Sequence, residues 1–275
     1  PSRDDRVRAA RILSGELDSA DEAIRVWEAV RKASGEADDA DAALAELYEA
    51  RERWKELAEL LERSAARHDD AETKANLLVR LGDVRRAKLD EPARAIESYA
   101  KSLASKPGDA RAAHGLTALL DVTDSAREAL DVLLRDHAAT DSWAATVALL
   151  PQRLRLAKDD DARVADLLET AELFETRAGD MEAAFHATRE AFVIAEGAES
   201  VATVAERRAG EAAISGAPDA YRALAEAHRV VLEAIEGSRA ANDPDVLRLR
   251  TTLGALLETR LDDPRGALVQ FTRVA

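Results

Sequence analysis

Residues 81–99 read LGDVRRAKLDEPARAIESY, and residues 253–271 read LGALLETRLDDPRGALVQF, an ungapped repeat at an offset of 172. Six positions are identical: Leu81/Leu253, Gly82/Gly254, Leu89/Leu261, Asp90/Asp262, Pro92/Pro264 and Ala95/Ala267. Ile96/Leu268 and Tyr99/Phe271 are conservative pairs. An offset of 72 finds the second half again upstream, with Leu17, Asp18, Ala23, Ile24 and Trp27 against Leu89, Asp90, Ala95, Ile96 and Tyr99. The same offset lays residues 43–63 over 115–135, and an offset of 89 lays 54–61 over 143–150 and runs on to Ala95 over Ala184. A chain that spells one local unit in several registers is expected to fold as a stack of copies of that unit.

The residue types say what the unit is. Leu77, Leu78, Leu81 and Val84 recur at helical spacing and make one apolar stripe. Gly82 lies on that helix where only a small residue lets a neighbour come close. Next comes a short link, in which Asp90 is the expected N-cap and Pro92 falls in the first turn, where its missing N–H costs little. The second helix presents Ala95, Ile96, Tyr99 and Leu103, and Lys106-Pro107-Gly108-Asp109 stops it and caps the one after. Such an antiparallel hairpin cannot bury both of its faces alone. Stacked hairpins can.

Composition agrees. Apolar residues are 47% of the 275, aromatic residues only 4%, and Gly and Pro number 12 and 7, too few for a protein rich in hairpin turns. The chain therefore reads as all-α, a right-handed solenoid of about fifteen helices running from 3–14 to 264–275 in one continuous domain. Pro151 predicts a kink or break near Leu150 in a helix expected over 140–157, and an extra helix is expected near 124–138.

Leu81-Gly82, Ala95, Tyr99 and Pro107, with Leu44-Ala45, Tyr48 and Trp54 in a second copy, resemble the pattern of the tetratricopeptide repeat, with one extra residue between the helices. The resemblance is best over 20–122 and degenerate over 196–242; Ala171 replaces the glycine and Thr188 the aromatic in a later copy. It implies a superhelical array whose concave face, lined by the first helix of each repeat, binds proteins or peptides. By position that face takes Glu46, Glu49, Asn76, Val79, Asp83, Arg86, Glu172, Glu175 and Glu258. The family's carboxylate clamp uses Lys, Arg and Asn, and only Asn76 and Arg86 fit, so the acidic lean points to a basic partner. Neither end of the sequence shows the polar face of a capping repeat. A fragment of a longer array, self-associating through raw ends, is the expectation.

No catalytic signature is present: no GxxxxGK[ST], GxGxxG, HExxH or GxSxG. Without cysteine there is no thiolate chemistry. His68, His114, His137, His186 and His228 have no ligand spacing and read as surface or helix-end residues. Asp159-Asp160-Asp161 reads as a solvated helix start and not as a calcium loop. Trp27 shares a slot with Tyr99 and Phe271, and Trp27, Trp54 and Trp143 are all expected in the core. No cofactor and no metal are expected. A net charge of −15 would repel nucleic acid and anionic membranes, and no apolar run is long enough to span a bilayer. Two function classes remain, a non-catalytic protein-interaction scaffold or a structural spacer, with an enzyme a distant third.

Overall fold

The computed structural model describes residues 3–14, 19–34, 38–121 and 124–275. Leu17 and Asp18 of the repeated stretch lie outside them. Among the described residues there are sixteen α-helices and no strand, and the architecture is all-α, as the periodicity predicts. The chain forms two compact units, residues 1–142 and 143–275.

Within the first unit the helices are α1 (Arg3–Ser14), α2 (Ala20–Ser34), α3 (Asp38–Ala50), α4 (Trp54–Arg67), α5 (Ala71–Ala87), α6 (Pro92–Ser105), α7 (Ala110–Thr117) and α8 (Ala126–Ala139). The second holds α9 (Trp143–Ala148), α10 (Leu150–Leu156), α11 (Asp160–Leu173), α12 (Met181–Ile194), α13 (Glu199–Ile214), α14 (Ala220–Glu236), α15 (Pro244–Thr259) and α16 (Pro264–Thr272). Inside each unit nearly every helix packs on the one before it and the one after it, with α5–α6 and α11–α12 the most intimate pairs. The helix expected near 124–138 is α8, which packs on α7. Pro151 falls in the first turn of α10, so the single helix expected over 140–157 is broken into α9 and α10.

The repeated residues repeat their packing. A Cβ on Gly82 would lie 2.5 Å from the Tyr99 ring, and one on Gly254 would lie 2.6 Å from Phe271. The glycine makes room for the ring of its own hairpin's second helix, which is how a helix pair closes tightly around a large side chain. Tyr99 is squeezed from the other side by Gly115 of α7. At the offset of 72, Ala10 and Trp27 fill the same two slots in α1 and α2, and both are buried. The degenerate stretch builds the same kind of hairpin with smaller parts: Ala205, Ala209 and Ala212 of α13 are wholly buried against α12 and α14.

The link between paired helices corrects the expected role of Asp90. Its φ is +53°, in the left-handed region, and the residue at the cap position of α6 is Glu91, whose side chain makes no cap bond. Gly179 (φ +66°) and Asp262 (φ +50°) stand at the same point of their hairpins. In all three the next amide closes the turn on the carbonyl six residues back: Glu91 to Arg85 (2.9 Å), Asp180 to Phe174 (3.0 Å) and Asp263 to Leu257 (2.9 Å). Asp tolerates the left-handed region better than most side chains, and Gly tolerates it without cost. The shared chemistry of this link is therefore a turn, and capping passes to the next residue where it is Asp: Asp180 accepts from the Ala183 amide and Asp263 from the Gly266 amide, both at 2.9 Å. Asp70, Asp109 and Asp159 cap α5, α7 and α11 as their positions predict.

Two further expectations change. Trp27 is buried, but Trp54 and Trp143 are only half-buried, and Lys88 Nζ sits 4.8 Å from the Trp54 ring centroid. His228, read as a surface residue, is 1% exposed: its Nδ1 lies 3.0 Å from the Leu224 carbonyl and its ring lies against Phe192. The apolar face of α14 carries it inward, a position that sequence periodicity assigns to a hydrophobe.

Candidate functional site

The face-lining residues named above fall on the first helices of the hairpins. Glu46 and Glu49 are on α3, Asn76, Val79, Asp83 and Arg86 on α5, Glu172 at the end of α11, Glu175 in the π-helical turn Phe174–Ala178 that continues it, and Glu258 in the last turn of α15. Val79 is 6% exposed, so it packs inside and offers nothing to a ligand. The others are exposed or half-buried.

In the first unit, α3, α5 and α7 are tied into one row. Glu49 pairs with Arg80, and Arg111 Nη2 donates to Asn76 Oδ1 at 2.6 Å. Tyr99 Oη donates to Asp83 Oδ1 at 2.8 Å and accepts from Arg86 Nε at 3.3 Å, which anchors both charged residues over the buried ring. Burial, with the Asp83 carboxylate beside it, pushes the Tyr99 hydroxyl pKa well above its ordinary value.

The second unit repeats the device. Arg207 Nη1 reaches Glu175 Oε1 at 2.8 Å and Arg208 Nε reaches Glu175 Oε2 at 2.9 Å, while Arg208 Nη1 donates to Thr188 Oγ1 at 2.6 Å. The bond from Arg207, helped by Arg208, holds the Glu175 carboxyl down at about 2. Thr188, standing where Tyr99 and Phe271 stand in the other copies, thus accepts a buried arginine in place of filling the slot with a ring.

These partners were not foreseen, yet they carry a sequence signal. Glu49–Arg80, Asn76–Arg111 and Glu175–Arg207 are separated by 31, 35 and 32 residues, about one repeat length each. A charge or amide on one first helix meets its partner at the same height on the next. Glu46, Glu172 and Glu258 have no such partner among the described residues, and their side chains are exposed.

Beside Glu46 lies a groove of 480 Å³ lined by Arg11, Trp27, Asp39, Ala42, Ala43, Glu46, Leu47 and Ala50. Small side chains make its floor over the buried Trp27 ring, and its rim carries Arg11 and two carboxylates, Asp39 and Glu46, that pair with no described residue. That combination suits a side chain with an aliphatic stem and a positive end. In the second unit a 570 Å³ groove runs between α12 and α14 over Ala183, Ala187, Ala223 and Ala227, edged by charges of both signs.

Among the described residues no three His, Cys, Asp or Glu side chains converge as a metal site requires, and no helix is long and apolar enough to cross a membrane. No family model matches the chain, and no curated protein matches it.

Proposed function

We propose that this chain is a non-catalytic interaction scaffold of the tetratricopeptide-repeat kind, whose first-helix rows offer an acidic-leaning groove to a basic peptide or protein. The observation that carries the reading is the groove at Trp27, where Asp39 and Glu46 stand unpaired above an apolar floor. A Lys or Arg would lay its stem on Ala42, Ala43 and Ala50, which remain accessible, and bring its charge to the two carboxylates. The net charge of −15 would steer such a partner in from a distance.

The test is selection from a random displayed-peptide library against the intact chain, with calorimetry of the recovered peptides at low and high salt. Lys- and Arg-rich peptides are expected, with affinity falling as salt rises and lost in Glu46→Lys. Recovery of neutral or acidic peptides, or binding that Glu46→Lys leaves intact, would overturn the reading.

A structural spacer is the second reading, and one observation favours it. Glu49, Asn76 and Glu175 spend their side chains on Arg80, Arg111 and the Arg207–Arg208 pair, bracing neighbouring repeats, and Asp83 is spent on Tyr99 of its own hairpin. A library that yields no selective peptide supports this reading.

A further inference from the structure

We infer that Arg11 sets the specificity of the groove at Trp27, an assignment that rests on the groove reading proposed above and names the charge pattern of the occupant. The segment it takes is amphoteric: basic on balance, with an Asp or Glu accompanying its Lys or Arg.

The groove has sides of opposite sign. From α3 come Asp39 and Glu46, on a helix whose charged residues are all acidic. From α1 comes Arg11. All three side chains are exposed, and none pairs with a described residue. The surface they share is made of Ala42, Ala43 and Ala50, over a Trp27 ring that is 2% exposed. Such a floor offers contact to any aliphatic stem. Discrimination is left to the charges on the rim.

Elsewhere the corresponding charges are spent inside the protein. Glu49–Arg80, Asn76–Arg111 and Glu175–Arg207 each join one first helix to the next at a separation of 31, 35 and 32 residues. Arg11 and Glu46 are also 35 apart, on successive first helices and of opposite charge, yet the groove lies between them and no bond joins them. A second brace is missing too. Asp83 stands where Arg11 stands at the offset of 72, and it is held by the Tyr99 hydroxyl. Trp27, in the Tyr99 slot, has no hydroxyl with which to hold Arg11. Both ends of the expected brace therefore face the groove, and an occupant must supply the countercharges. An all-basic segment would satisfy Asp39 and Glu46 but set a like charge against Arg11, and an acidic one would do the reverse. A base and an acid in one segment satisfy all three.

The test is selection from a displayed random-peptide library in parallel on the intact wild-type chain, on Arg11→Ala and on Arg11→Glu. Circular dichroism of both variants should be unchanged, since the side chain already faces solvent. Wild-type peptides should be enriched in Lys or Arg and, in the same peptides, in Asp or Glu. Arg11→Ala should keep the enrichment in bases and lose that in acids, and Arg11→Glu should put a further base in the place of the acid. In calorimetry, a Glu-to-Gln change in a recovered peptide should weaken wild-type binding by about fivefold, as for a solvent-exposed ion pair, and leave Arg11→Ala binding unchanged. Enrichment of bases without acids on the wild type, or acid enrichment that persists in Arg11→Ala, would overturn the role of Arg11 and leave the groove reading standing. So would an Arg11→Ala variant that binds every peptide more tightly, with or without an acid. A wild type that selects no peptide, or none rich in bases, would overturn the groove reading and this assignment together.

Discussion

Single residues decide how tightly the hairpins close, and the repeated glycine is the clearest case. In an isolated helix Gly82→Ala would stabilise by about 1 kcal/mol through backbone entropy. Here the added methyl would meet a ring that cannot retreat, because Gly115 blocks its far side. Overpacking of this kind costs about 1–3 kcal/mol and outweighs the helix gain. Gly82→Ala should therefore lower the urea midpoint, while Gly254→Ala should cost less, because Phe271 has open space to move into; equal losses would contradict the packing described. His228 makes a second residue-scale prediction. Burial, the first cause, lowers its pKa below the ordinary 6.5; a bond to the Leu224 carbonyl and the Glu206 charge oppose this, and Arg248 adds to it. The folded state therefore binds the proton less readily than the unfolded chain. The stability this gives is full above pH 6.5 and is lost as the pH falls from there toward the depressed value, by up to about 1.4 kcal/mol per pH unit. Thermal melts across that window should show the slope, and His228→Leu should remove this part of it.

At the scale of elements, the same link joins three hairpins with different residues at its left-handed position. Asp90 and Asp262 hold it with side chains, and Gly179 holds it with none. Nothing lies within 4 Å of a Cβ built on Gly179, so Gly179→Ala would meet no clash and would bear only the conformational cost of the left-handed region, about 1 kcal/mol. Asp90→Gly should gain up to a similar amount, less the entropy of a freer unfolded chain. Urea melts of both variants check the sign. The opposite order would mean that the Asp side chain, and not the backbone, maintains the turn. Rows of first helices are then braced by pairs about one repeat apart, Glu49–Arg80 and Glu175–Arg207 among them. These exposed pairs add little each, but they set which charges remain free for a ligand.

For the whole molecule, charge is the property that matters most. The sequence pI is near 4.9, so the attraction for a basic peptide should fade as the pH approaches that value, and calorimetry near pH 5 should find much weaker capture than at pH 7. All-α architecture, the hairpin as the unit, the buried Trp27 slot and the Pro151 break were legible in the sequence, because spacing along a helix sets which residues share a face and proline removes a backbone donor whatever surrounds it. Other features were not. Asp90 reads as a cap by residue type, and only the closing bond from Glu91 to Arg85 reveals a turn. Val79 and His228 lie inside because neighbouring helices cover them, and Glu49 and Glu175 are engaged because arginines about one repeat away arrive at the same height. Local chemistry and periodicity, written in the chain itself, determined the elements and their pairing. Which side chains stay free to meet a partner was decided only by the tertiary structure, because exposure and pairing depend on residues brought close by packing and not by order along the chain.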